Sequence, residues 1–205
     1  MARDRSFLLA LLGIVLAVLV WSGHEPRDRF TWFLEVLPVL LALPLLFLTQ
    51  RAFPFTRLAY GLMAMHAVVL MIGGHYTYAE MPVFEWLQGE LGWARNHYDR
   101  VGHVVQGFVP AILAREILLR TSPLRPGKWL TFLVLCVALA ISAFYELVEW
   151  WVAVASGDEA VAFLATQGDV WDTQWDMLLA LLGAIAALLL LSGVHTRQLR
   201  RRGLL

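Results

Sequence analysis

Six long apolar runs constrain the fold of this chain more than any other feature. They lie at residues 6–22, 31–49, 58–78, 98–119, 129–151 and 173–193. Each run is close to the roughly 20 apolar residues that a helix needs to cross the hydrocarbon core of a bilayer. Inside lipid, only helices and closed barrels satisfy all their backbone hydrogen bonds. The sequence therefore predicts an all-α membrane bundle of about six transmembrane helices, forming one domain over residues 1–205.

The composition agrees with a membrane protein, since 60% of the residues are hydrophobic and only 16% are charged. These values exclude a disordered chain and disfavour a soluble domain. Basic and acidic residues balance at 16 each, so no basic surface for nucleic acid is expected. The single cysteine, Cys136, lies in an apolar run and is expected to be buried.

The distribution of basic residues predicts the orientation in the membrane. If the N-terminus is cytoplasmic, most arginine and lysine residues lie on the inner side, as the positive-inside rule requires. They are Arg3, Arg5, Arg51, Arg57, Arg115, Arg120, Arg125, Lys128, Arg197, Arg200, Arg201 and Arg202. Most tryptophans then lie near the outer interface, where indole rings are enriched. Both termini are therefore expected inside.

Ionisable residues collect at the predicted outer ends of four runs. The segments are GGHYTYAE at 73–80, RNHYDRVGH at 95–103, FYELVEW at 144–150 and GDVWDTQWDM at 168–177. Spacings of three or four residues put several ionisable groups on shared helix faces. Charged groups at this depth usually face a bundle interior or a water-filled cavity. The four segments are therefore expected to meet in one shallow polar site.

Histidine combined with carboxylates suits a divalent ion such as zinc, manganese, magnesium or iron. The expected metal ligands are His75, Asp99, His103 and Asp176. The expected catalytic carboxylates are Glu146, Glu149 and Asp172. The expected substrate contacts are Arg95, His97 and Arg100. In this hypothesis a carboxylate acts as general base for a metal-bound water, and the arginines hold a phosphate.

Structural interpretations of the same residues stay open. Asn96 can cap the fourth helix, with Asp99 in its first turn, and Asp169 can cap the sixth. The two glutamates of FYELVEW can form ion pairs with Arg95 or Arg100. Each of these roles would stabilise helix ends without any metal.

Residues outside the four segments carry separate expectations. His66, in the middle of the third run, is expected to form an interhelical hydrogen bond. His195 is expected to be solvated. The small residues Gly107 and Gly183 can either permit close helix packing or leave room for a lipid chain.

The four polar segments together resemble the YjdF-like family of bacterial inner-membrane proteins, over roughly residues 30–195. The resemblance implies a small multi-pass protein of the cytoplasmic (inner) membrane. Asp99 with His103, a later glutamate, and Asp172, Asp176 and Gly183 are also similar to the pattern of VanZ-like membrane proteins. Some VanZ-like proteins are associated with glycopeptide-antibiotic tolerance, and this weaker resemblance implies a role at the outer leaflet or on cell-wall precursors.

Three functions fit these observations. The first is a metal-dependent hydrolase or transferase that acts on a membrane lipid or a polyprenyl-phosphate head group. The second is a transporter that relays protons or ions, although no acidic ladder continues toward the inner face. The third is a structural polar cluster without catalysis. Membrane lipid is the expected partner, and a homo-oligomer is compatible with all three.

Overall fold

The computed structural model describes residues 2–157 and 161–205, and within these ranges the chain is helical with no strand. The long helices are α1 Ala2–Gly23, α2 Arg29–Thr49, α3 Arg57–Tyr76, α5 Tyr98–Thr121, α6 Lys128–Ser156 and α8 Asp172–Arg201. Two short helices, α4 Pro82–Leu91 and α7 Val161–Leu164, lie between them. The six long helices are long and apolar enough to cross a membrane. The predicted fold class is confirmed, while the orientation of the termini stays a prediction.

Side-chain caps explain where two of the spans begin. Asp28 accepts a hydrogen bond from the backbone N–H of Thr31 at 2.6 Å, at the start of α2. The hydroxyl of Thr56 accepts from the N–H of Ala59 at 3.3 Å, at the start of α3. Each cap satisfies one of the free N–H groups of a first helical turn.

Helix α5 is the centre of the bundle, because it packs against α3, α6 and α8. Helices α1 and α2 each pack on α3, and α6 also packs on α8. Arg95, which lies just before α5, pairs with Asp172, the first residue of α8. Farther along, Arg115 of α5 contacts His195 of α8. Helices α5 and α8 therefore run in the same direction. We call the end where they begin the His103 end, and the opposite end the His195 end.

Two glycines bring α5 and α8 into backbone contact. A β-carbon on Gly107 would overlap the carbonyl oxygen of Ala180, and one on Gly183 would overlap that of Val104. Close helix approach through small residues is a common way for membrane helices to associate. Of the two interpretations of these glycines, close packing is therefore the one that the fold uses.

The surface of the bundle is apolar, as helices in lipid require. Phe47 of α2 and Leu189 of α8, for example, are 73% and 79% exposed. Cys136 also lies on this surface, so its expected burial is wrong. An apolar residue gains nothing from facing a neighbouring helix instead of lipid, because both surroundings are equally apolar.

Candidate metal centre

His103 lies at the centre of a buried polar cluster at the His103 end. Its Nε2 atom is 3.5 Å from Oδ1 of Asp99 and 3.8 Å from Oδ1 of Asp176. Its Nδ1 atom is 2.9 Å from Oε1 of Gln106 and 3.9 Å from Oε1 of Glu146. Carboxylates from α5, α6 and α8 thus surround both ring nitrogens, and the three carboxylate side chains and the imidazole are all buried.

Two sets of ligand atoms in this cluster have the spacing of a metal site. Asp99, His103 and Asp176 form one set, and His103, Glu146 and Glu149 form the other, each with its atoms within 4.8 Å of one another. Ligand atoms about 2.0–2.2 Å from one zinc ion lie up to roughly 4.4 Å apart. The separations of 3.5 and 3.8 Å around Nε2 fall within that limit. In the first set, the two separations that involve Nε2 of His103 are therefore short enough for one ion.

Hydrogen bonding in the cluster is incomplete. Oδ1 of Asp176 and Oε1 of Glu146 are buried and have no hydrogen-bond partner among the residues that the structure describes. A buried polar atom without a partner is costly and calls for an explanation. If Gln106 accepts the Nδ1–H of His103, the lone pair of Nε2 points toward Asp99 and Asp176. A cation among these atoms would satisfy them.

Arg95 ties the beginnings of α5 and α8 together. Its buried guanidinium pairs with Asp172 and lies 3.4 Å from Asp99 and 3.6 Å from Asp169. It also donates to the carbonyl oxygen of Ala165 at 3.3 Å. The predicted substrate contact Arg95 and the predicted catalytic carboxylate Asp172 are thus partners in a buried ion pair.

The other two predicted substrate contacts lie toward the surface. Arg100 donates to Asp169 at 2.8 Å and lies over the ring of Trp175, 5.2 Å from its centroid. The ring of His97 packs against Trp93 at 4.9 Å. Burial, followed by the positive charge of Arg100, lowers the pKa of His97, so its imidazole is neutral at pH 7. Both arginines pair with aspartates, so the alternative in which they pair with the glutamates of α6 is not the arrangement found among the described residues.

The predicted helix caps are displaced by a residue or more. Helix α5 begins at Tyr98 with His97 in the cap position, while Asn96 accepts the backbone N–H of Tyr98 at 3.1 Å. Asp99 faces Arg95 and His103 instead of the free N–H groups of the first turn. Asp169 likewise accepts a backbone N–H just before α8, at 3.0 Å.

His75, expected as a metal ligand, is not brought into the cluster. Its Nδ1 atom lies 3.0 Å from the carbonyl oxygen of Ser22, and its ring centroid is 4.6 Å from those of Trp21 and Tyr76. Helix α3 turns His75 toward α1, whereas the neighbouring Gly74 is the residue that faces α2. The sequence placed His75 at the right depth but could not show which face of α3 meets the site.

Glu35 is a member of the site that sequence reasoning missed. It is 5% exposed and accepts a hydrogen bond from the Tyr145 hydroxyl at 3.2 Å. Together with Asp99 and His103 it lines a cavity of about 20 Å³, which is enough for one water. Burial, and then the charge of Glu35, raise the pKa of Tyr78 in the same cavity wall well above its usual value. The sequence does contain a signal for Glu35, because this residue lies in the second turn of α2, at the same depth as His103 in α5.

A second buried polar network closes the His195 end. Glu116 accepts from the N–H and hydroxyl of Thr56 at 2.9 and 2.7 Å, and from Arg120 at 2.9 Å. His195 lies 2.9 Å from both Glu116 and Arg115. The expected solvation of His195 is wrong, because α8 continues to Arg201 and keeps this residue inside the bundle. Unlike the His103 cluster, this network leaves no ring nitrogen or carboxylate oxygen of Glu116 and His195 unpaired, so its role is structural.

Replacing Glu116 with glutamine is expected to lower the free energy of unfolding by about 1.5–3 kcal/mol, since the hydrogen bonds from Thr56, Arg120 and His195 lose a charged acceptor. Thermal melting of the purified protein, followed by tryptophan fluorescence, measures the change. The exposed Glu90→Gln variant should melt like the wild type. Equal melting of Glu116→Gln and Glu90→Gln would contradict the structural role.

Comparisons with known proteins agree with this architecture. A family model described as "Predicted membrane protein (DUF2238)" matches residues 7–197. The chain is 53% identical over 188 residues to the protein named "Inner membrane protein YjdF" from Escherichia coli (strain K12), covering 92% of this chain and 90% of that relative. No solved structure matches the chain. The family match extends across all six long helices.

Proposed function

Because the chain belongs to the DUF2238 family and is a multi-pass protein of the bacterial inner membrane, we propose that its buried polar cluster binds a divalent metal ion. One observation carries the proposal. His103 has carboxylates at both ring nitrogens, and two of their buried oxygens have no partner within the described parts of the chain. Asp99, His103 and Asp176 hold the ion in this proposal, with Glu146 and Glu149 beside it.

The charge balance of the site supports a cation. Six carboxyl groups line or adjoin it, whereas the nearest arginine, Arg95, pairs with Asp172 and also lies 3.4 Å from Asp99. The six are Glu35, Asp99, Glu146, Glu149, Asp172 and Asp176. Burying an ionised carboxylate costs several kcal/mol unless a compensating charge is present. One nitrogen and several oxygen ligands favour zinc, manganese or iron over magnesium, which prefers oxygen ligands and water.

The activity we propose is hydrolysis or group transfer on the head group of a membrane lipid. A divalent ion lowers the pKa of a bound water toward neutrality and so supplies a nucleophile. The cavity beside Asp99 and His103 has room for one water, and Glu35 faces that cavity without belonging to either ligand set. In this proposal, Glu35 would accept the proton of a water held there. The second-turn depth of His103 and Asp176 suits a substrate whose head is at the interface and whose chain is in lipid.

Elemental mass spectrometry of the purified protein tests the metal site. The wild type is expected to hold about one ion per chain, and His103→Ala to hold almost none, because His103 is common to both ligand sets. His75→Ala is the matched control, since His75 contacts Ser22 and not the cluster, and it should keep the ion. A folded wild type that contains no metal and takes up none when it is supplied would refute the proposal.

A proton- or ion-handling transporter is the second candidate. Glu35 favours it, since this buried carboxylate has an uncharged hydrogen-bond partner, Tyr145, and could exchange a proton. The fully paired network of Glu116 and His195 at the opposite end gives ions no evident route through the bundle. A metal-free wild type would leave this candidate and a purely structural cluster as the remaining functions.

A further inference from the structure

A second, larger cavity lies between α1, α2, α3 and α5. Its volume is about 330 Å³, within the range of small-molecule sites. Its lining is almost entirely apolar and includes Leu8, Val15, Val39, Phe47, Ala67 and Val109. Helices α1 and α2 each pack on α3, and the cavity is the space that these three helices enclose with α5.

This apolar cavity continues the polar site. Leu70 lines both the apolar cavity and the small cavity that Glu35 and His103 share. On α2, Val39 follows Glu35 by one turn on the same face. On α5, Val109 follows Gln106 by three residues and also shares its face. The helix faces that form the polar site therefore become the walls of the apolar cavity deeper in the membrane.

The shape of the apolar cavity suits one hydrocarbon chain. Its lining on α3 extends from Leu70 to Tyr60, about 15 Å along the helix axis. A volume of about 330 Å³ extended over that length has room for a hydrocarbon chain. Since the hydrocarbon core is about 30 Å thick, a chain that starts at the His103 site and fills this cavity passes the middle of the bilayer.

His66 is a polar residue in the wall of this largely apolar cavity. Its Nε2 atom is buried and has no hydrogen-bond partner in residues 2–157 and 161–205, so the expected interhelical hydrogen bond is wrong. A buried ring nitrogen without a partner is unfavourable, and a hydrocarbon chain in the cavity would leave this cost unchanged.

We infer that the apolar cavity holds the chain of a single-chain amphiphile whose head group places one anionic oxygen in the water-sized space beside His103. This inference rests on the proposed metal site, because without an ion the head group would meet the carboxylates of Glu35, Asp99 and Glu149. A chain gains little by leaving lipid for an equally apolar cavity. The bond between head group and metal therefore provides most of the selectivity.

Photolabelling tests the inference. The probe is hexadecyl phosphate with a diazirine at the end of its chain, and hexadecanol with the same diazirine is the neutral comparison. With metal-loaded wild type, the phosphate probe is expected to label the far end of the cavity, near Leu8, Phe47 and Tyr60. Ala42→Trp, which fills the cavity, should reduce this labelling to about a tenth. Leu41→Trp is the matched control, since Leu41 is exposed on the same helix and does not line the cavity.

The outcomes separate the inference from the proposed function. Metal content and melting temperature are measured on the same preparations, and both tryptophan variants should match the wild type in both. Ala64→Phe fills the same cavity from α3 and replaces Ala42→Trp if that variant does not fold. Labelling spread over the lipid-facing surface and unchanged by the cavity variants would overturn the inference while leaving the metal site intact. If the phosphate and alcohol probes label the cavity equally, and if removing the metal changes neither, the link between the cavity and the head-group site would be overturned.

Discussion

Replacing Gly107 or Gly183 with alanine is expected to force α5 away from α8 and to abolish metal binding. The added methyl group overlaps a backbone carbonyl in both cases, that of Ala180 or that of Val104, and a backbone cannot rotate away as a side chain can. Overpacking a core usually costs about 1–3 kcal/mol, and a backbone clash puts the expected loss of stability at or above the upper limit. The proposed ligands Asp99 and His103 lie on α5, whereas Asp176 lies on α8, so a shift between the helices would also separate these three side chains.

Melting temperature and metal content of the two variants are the measurements. Gly193→Ala is the control, because it lies on the same helix α8 and a β-carbon there meets no atom within 4 Å. It should keep the metal and melt at or slightly above the wild-type temperature, since alanine favours a helix over glycine by up to about 1 kcal/mol. Gly107→Ala and Gly183→Ala variants that behave like Gly193→Ala would show that the two helices do not depend on this contact.

Replacing Arg95 with leucine is expected to lower the free energy of unfolding by about 3–5 kcal/mol. The change leaves Asp172 and Asp99 buried without their cation, and it removes a donor to the carbonyl oxygen of Ala165. Removing one partner of a buried ion pair costs far more than removing both, because the remaining charge stays uncompensated. Thermal or denaturant unfolding of the purified protein measures the loss.

Two further variants show whether burial is the cause. Arg100→Leu removes an arginine that pairs with Asp169 but is 23% exposed, against 7% for Arg95, so it should cost less than Arg95→Leu. Adding Asp172→Leu to Arg95→Leu should recover part of the lost stability, and the double-mutant cycle gives the coupling between the two residues. Arg95→Leu and Arg100→Leu variants with equal small effects would contradict a buried ion pair that holds α5 to α8.

Helix spacing predicted the part of the site that lies within single helices. Spacing predicts a shared helix face for each of three pairs: Asp99 with His103, Glu146 with Glu149, and Asp172 with Asp176. The first pair belongs to one candidate ligand set and the second pair to the other. Local geometry is enough for such pairs, because residues three or four apart are neighbours on any α-helix. The third pair is divided by the fold: Asp176 joins the cluster, and Asp172 pairs with Arg95.

Errors arose wherever a role depended on how a helix is rotated toward its neighbours. His75, Glu35 and His195 all lie in predicted spans or just beyond them, and hydropathy is insensitive to which way each side chain points. The structure turns His75 toward α1, Glu35 into the polar cavity, and His195 toward Glu116. These orientations follow from packing between helices that are distant in sequence.

The sequence by itself determined the six membrane helices, the all-α class and the concentration of ionisable groups at one end of the bundle. Lipid enforces these features on any chain with such apolar runs, since each span must satisfy its own backbone hydrogen bonds. Only the tertiary structure decided which polar groups are paired. The close contact at Gly107 and Gly183 sets α5 against α8. In that placement Glu116 and His195 have their hydrogen-bond partners, whereas one oxygen each of Asp176 and Glu146 has none among the described residues. Pairing is a property of distances between helices, and the spacing of residues along one helix does not contain it.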